Sequence, residues 1–142
     1  MDKMIKIGLG IMVKNGDEVL LGHRCKDYDD TGGIYEPDSW TFPGGKQEYE
    51  ETIIEGAIRE TKEETNLDIS DLEIFSAIDD IQPNKHYITI QLIANKFEGE
   101  LKNLEPTKHS EWRWFKLNNL PENLYTPTKE FVEKYMEKYH LD

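Results

Sequence analysis

Residues Gly45–Leu67, GKQEYEETIIEGAIRETKEETNL, decide how the chain is read. From Glu50 to Thr65 there is no proline and many good helix formers, and Ile53, Ile54, Ala57, Ile58 and Thr61 recur at helical spacing. The segment predicts an amphipathic helix, which Asn66 closes because asparagine tolerates the left-handed conformation that ends a helix. Seven of the seventeen residues from Glu48 to Glu64 are glutamates. At about 100° per residue, Glu60, Glu63 and Glu64 fall within one arc that also holds Gly56 a turn earlier. Like charges so spaced cost stability, and this arc borders the apolar stripe instead of opposing it. A solvated acidic face would lie opposite the stripe, so the geometry points to a compensating cation. Carboxylate oxygens are hard ligands suited to Mg²⁺, with Mn²⁺ as the alternative, and a glutamate outside the metal could orient an attacking water. Gly44-Gly45 before the helix permits close backbone approach, and first-turn amides favour an anion.

Outward from this helix the signals alternate between strand and turn. Ile7–Val13 and Glu18–Leu21 flank Asn15-Gly16 and predict a β-hairpin. Gly22–Ser39 has hardly an aliphatic residue and reads as a long exposed loop. Trp40-Thr41-Phe42 is a short strand stopped by Pro43-Gly44-Gly45. After the helix, Leu72–Ile78 reads as a strand, Asp79–Lys85 with Pro83 as a turn or loop, and Tyr87–Ile93 as an alternating strand with one face open to a pocket. Glu111–Leu117 alternates again and ends at Leu120-Pro121. Thr126-Pro127 reads as an N-cap with proline at the first helical position, opening a helix whose Phe131, Val132, Tyr135 and Tyr139 share a face. With no repeat or linker, residues 1–142 are expected to form one α/β sandwich domain with a mixed sheet.

Composition narrows the function. Acidic residues outnumber basic ones 29 to 17, and the net charge of −12 argues against a nucleic-acid polymer or a membrane surface as partner. The lone Cys25 forms no internal disulfide, no apolar run is long enough to span a bilayer, and Lys14-Asn15-Gly16 stands where a signal-peptide cleavage site would be. A reduced, cytoplasmic setting is the expectation. An acidic Ca²⁺ buffer is disfavoured because no EF-hand loop is present.

Gly45, Glu51, Arg59-Glu60, Glu63-Glu64 and Leu67 stand at the spacing of the Nudix box, G-x5-E-x7-R-E-U-x-E-E-x-G-U with U aliphatic. Thr61 replaces the inner aliphatic residue and Asn66 the late glycine; neither change touches the glutamates. Gly8–Arg24, Trp40–Gly45, His86–Ile90 and Glu111–Trp114 through Leu120-Pro121 extend the resemblance to MutT-type nucleoside triphosphate diphosphatases, with most similarity to the branch that contains the human thiopurine nucleotide hydrolase.

The resemblance implies an α/β/α sandwich in which the box forms loop, helix and loop, and hydrolysis of a nucleoside diphosphate linked to another group. By the same carry-over, Glu60, Glu63 and Glu64 are metal ligands and catalytic groups, the Gly45 carbonyl adds a ligand, Arg59 orients the glutamates, and Glu51 buttresses the loop or engages outer-shell metal. The general base is left unassigned. Phe42 and Thr89 resemble nucleobase-pocket positions, or are simple sheet packing. Arg24 reaches substrate phosphates or is a solvated loop arginine. His86 reads as a strand-entry residue and Cys25 as incidental. Trp112 and Trp114 either stack on a base or, as alternating β geometry favours, divide into one core residue and one surface or dimer contact, while the Phe131–Tyr139 stripe is core first and a homodimer interface second.

The leading expectation is conversion of nucleoside triphosphates, with dGTP or oxidised and altered purine nucleotides as candidates, to monophosphate and pyrophosphate. Hydrolysis of ADP-ribose or a similar conjugate is the enzymatic alternative, kept open by Pro83 sixteen residues after Leu67. A non-catalytic Nudix-fold binding module is the alternative of another class, and such modules usually lack box glutamates that are all present here.

Overall fold

The computed structural model describes residues 3–25 and 36–139. Seven strands and two helices follow in the order β1 (Ile5–Asn15), β2 (Glu18–Arg24), β3 (Trp40–Thr41), β4 (Gly44–Lys46), α1 (Ile53–Thr65), β5 (Asp68–Gln82), β6 (Lys85–Glu98), β7 (His109–Lys116) and α2 (Thr126–Lys138). The sheet order is β3-β2-β1-β6-β5, with β4 paired to β1 and β7 to β2. It is mixed, since β1 and β6 run parallel while the other pairs are antiparallel.

Alternation along β1 divides the core. Leu9, Ile11 and Val13 join Ala57 of α1 on one face, while Met12 joins Phe131, Val132 and Tyr135 of α2 on the other. Each helix thus covers one face of the sheet, as the sandwich reading requires. No helix among the described residues is long and apolar enough to cross a membrane.

Several boundaries differ from the sequence reading, each for a local reason. Asp79–Lys85 is not a loop: β5 continues to Gln82 and β6 starts at Lys85, because Asn84 takes a positive φ of 66° and reverses the chain in two residues. Pro43-Gly44-Gly45 does not simply stop a strand. Gly44, Gly45 and Lys46 pair with Gly10, Leu9 and Gly8, an approach so close that a Cβ on Gly44 would collide with the Leu9 carbonyl. Helix α1 starts three residues later than expected, where Thr52 and Glu55 form a reciprocal capping box. Thr126 is not the N-cap of α2; Tyr125 holds that position, and the Thr126 amide and hydroxyl both donate to the Glu36 carboxylate.

Of the loop expected at Gly22–Ser39, Gly22–Arg24 belong to β2, Ser39 is buried, and positions 26–35 lie outside the described residues. Of Trp112 and Trp114, Trp112 is the core residue and lies across Gly22, where a Cβ would sit 2.7 Å from the indole. Trp114 is partly buried against Phe97, with ring centroids 5.0 Å apart.

Candidate functional site

The site begins where β4 meets α1. Gly45 lies against the Glu60 carboxylate so closely that a Cβ there would overlap it, and a Cβ on Gly56 would come within 2.8 Å of Glu51 Oε1. These two glycines let two carboxylates lie against backbone.

Arg59 ties the carboxylates together. Its Nε and Nη2 donate to the two Glu51 oxygens at 2.7 and 2.9 Å, Nη1 donates to Glu60 at 3.0 Å, and Nη2 also reaches the Lys46 carbonyl at 3.0 Å. Bidentate pairing of this kind is the strong form of a charged hydrogen bond. Together with the Glu48 amide, it holds the Glu51 carboxyl down at about 2 and raises the Arg59 guanidinium further above its ordinary value. Glu63 is solvent-exposed and meets Arg59 Nη1 at 3.3 Å.

Glu64 has a different setting. Its side chain is buried, Oε1 accepts the Gly44 amide at 2.8 Å, and Oε2 lies 3.6 Å from His109 Nε2. Burial pushes its carboxyl well up, against the pull of the Gly44 amide; Glu60 is also raised by burial, with Arg59 opposing. The three glutamates of the arc therefore occupy three environments: buried, half-buried against Arg59, and exposed.

A further carboxylate arrives from outside the box. The connection from β6 to β7 docks on α1 through hydrogen bonds from Lys102 and Leu104 amides to the Thr65 and Glu64 carbonyls, at 2.9 and 3.2 Å. It delivers Glu105, and it leads into His109 at the start of β7; their ligand atoms and that of Glu64 all lie within 4.8 Å of one another. The sequence reading missed both residues. One glutamate among 29 acidic residues carries no periodic signal, and only the docking of this connection gives it meaning.

These groups line a cavity of about 440 Å³, ample for a nucleotide-sized ligand. Glu60, Glu64, Glu105 and His109 border it, as do Gly44 and Gly45. Phe42 and Thr89 also line it. Phe42 is nonetheless 4% exposed and packs edge-on against Phe131, so pocket lining and core packing are one role there. Arg24 is not a solvated loop arginine. It ends β2, is 2% exposed, lines the cavity and lies 4.1 Å over the Tyr125 ring. Lys46, Lys85 and Lys108 line the same cavity, so that with Arg24 it carries four basic side chains to balance the acidic Glu60, Glu64, Asp80 and Glu105. His86 is the second residue of β6 and pairs with Asp79 at 2.9 Å.

Comparison with known proteins agrees with this geometry. The chain is 36% identical over 99 residues to the ADP-ribose pyrophosphatase of Methanocaldococcus jannaschii, a match covering 68% of this chain and 57% of that protein's length. It is 26% identical over 98 residues to the 8-oxo-dGTP diphosphatase of Escherichia coli, covering 69% and 71%. The crystal structure of a MutT NUDIX hydrolase from Burkholderia pseudomallei superposes with a TM-score of 0.81 at 26% identity, covering 92% of this chain and 97% of that one. Residues 4–135 match the NUDIX domain, and the chain belongs to that family.

Proposed function

We propose that the protein is a metal-dependent hydrolase that converts nucleoside triphosphates to the monophosphate and pyrophosphate. The observation that carries this reading is the buried Glu64 carboxylate, fixed by the Gly44 amide beside Glu60, Glu105 and His109, at one side of a cavity that also presents Phe42, Arg24 and three lysines. The donor set fits a hard divalent cation: the Glu60 and Glu64 carboxyls are both raised by burial in spite of Arg59 and the Gly44 amide, and the backbone of Gly45 lies directly against the Glu60 carboxylate. Glu60, Glu63, Glu64 and the Gly45 carbonyl would hold Mg²⁺, or Mn²⁺ in its place. Such an ion supplies charge neutralisation for phosphate oxygens and a more acidic bound water.

The chain's own groups do the rest. Arg59 fixes the Glu60 carboxylate through Nη1 while its other nitrogens are anchored on Glu51 and Lys46, so Glu51 serves as a buttress. Arg24 and the cavity lysines favour the phosphate chain. Glu105 and Glu64 stand where a proton could be taken from an attacking water. Phe42 and Thr89, which line the same cavity, are the side chains assigned to the base in this reading.

A second reading, hydrolysis of ADP-ribose, is favoured by the relative of that named activity. Incubation with Mg²⁺ and GTP, dGTP, 8-oxo-dGTP or ADP-ribose, followed by ion-exchange analysis, separates the two. Monophosphate with pyrophosphate supports the first, and AMP with ribose 5-phosphate supports the second. Stepwise orthophosphate release with GDP accumulating from GTP counts against both.

A further inference from the structure

Residues Lys85, Tyr87, Thr89 and Gln91 alternate along β6 and all line the cavity, while the next residue of that file, Ile93, is part of the core. Gln91 therefore forms the inner end of the open face. It is 1% exposed and lies in register between Gly10 of β1 and Ser76 of β5. The Ser76 hydroxyl donates to Gln91 Oε1 at 3.0 Å, which fixes the amide, while Nε2 is buried without a hydrogen-bond partner. A buried donor left unmade is costly, and such a group in a native protein calls for a water, an ion or a functional partner. On the other side, a Cβ at Gly10 would meet nothing within 4 Å, and Gly8 and Gly10 both line the cavity. The floor next to Gln91 is thus open to a ligand, and the amide offers it a donor only.

We infer that Gln91 is a specificity-determining residue whose amide N–H₂ reads a carbonyl on the nucleobase, so that the site takes 6-oxopurine nucleotides in preference to 6-aminopurine ones. This rests on the nucleotide reading of the cavity. A 6-oxopurine presents an acceptor at C6, whereas adenine presents an N–H₂ there, and donor facing donor leaves both groups unpaired. Discrimination built on a buried polar group is large, because the wrong partner leaves it desolvated and unmatched.

The test is calorimetric titration of wild type, Gln91→Leu and Gln91→Glu with IMP and AMP in Mg²⁺, two ligands that differ only at the 6-position and its adjoining ring nitrogen. Wild type binds IMP at least about tenfold more tightly than AMP. Gln91→Leu brings the ratio below about threefold, and Gln91→Glu, which presents an acceptor, turns it towards AMP. Thermal melts of both variants verify folding, and the ratio is a quantity that a merely structural glutamine does not move. Equal binding of the two ligands by wild type, an unchanged ratio in both variants, or no binding of either ligand at millimolar concentration overturns the inference. A Gln91-dependent IMP preference without triphosphate hydrolysis leaves it standing while the hydrolase reading falls; hydrolysis without that preference does the reverse.

Discussion

Gly45 and Glu60 occupy adjoining space such that the glutamate carboxylate lies where a side chain on residue 45 would begin. Gly45→Ala must therefore displace the flexible end of Glu60 while leaving the backbone in place. Turnover is expected to fall about 10²-fold, the scale on which a misplacement of about 1 Å acts, with the melting temperature in EDTA nearly unchanged. Gly44→Ala behaves differently, because its Cβ meets the Leu9 carbonyl and the β1–β4 pairing has to give. A loss of about 2 kcal/mol is expected, as for other forced overpacking. Melts and steady-state rates of the two variants check the contrast, and equal destabilisation would refute it.

Glu64→Gln keeps the size of the side chain and an acceptor for the Gly44 amide, yet removes a buried charge. Turnover should fall by about 10²-fold or more, on the scale of losing a ligand or base. Burial raises the folded pKa of Glu64, so the wild-type carboxyl contributes most to stability below its unfolded value of 4.5, and that contribution declines as pH rises through the raised folded value. In EDTA the variant should thus melt as high as wild type at acidic pH and higher at alkaline pH. Added Mg²⁺ should stabilise it less than wild type. A variant that melts lower at alkaline pH in EDTA, or gains equally from Mg²⁺, would mark Glu64 as structural.

Glu51 works with the opposite sign. Arg59 and the Glu48 amide lower its carboxyl from 4.5 to about 2, so its stabilising contribution is present above pH 4.5 and is lost as pH falls through about 2. Urea midpoints of wild type and Glu51→Gln should differ most at neutral pH, draw together below pH 4.5 and converge only as pH falls through about 2. A gap that is constant across this range would show that the pair adds nothing through charge.

Gly10→Val tests the cavity floor. Nothing lies within 4 Å of a Cβ there, and a β-branched residue suits a strand, so stability should hold or rise. The added methyl groups enter the space beside Gln91, and the KM for GTP should rise at least about tenfold. An unchanged KM would place the base elsewhere.

The sequence by itself determined the parts of this protein that depend on near neighbours. The repeat of Ile53, Ala57 and Thr61, the left-handed Asn66 at φ 68° and the hairpin, which turns at Gly16-Asp17 one residue past the expected Asn15-Gly16, all express preferences of a few adjacent residues, and the box spacing places Arg59 one and four residues from its partners Glu60 and Glu63. Tertiary structure decided what distant segments do to one another. Strand β7 and its neighbours enclose Arg24, Gly44–Lys46 become a strand by pairing with β1, and the connection through Leu104 brings Glu105 and His109 to Glu64. The same holds for the three glutamates of one arc, which differ because different elements cover them. A carboxylate's spacing is written in the helix, but its burial, and therefore its protonation, depends on which backbone is packed against it.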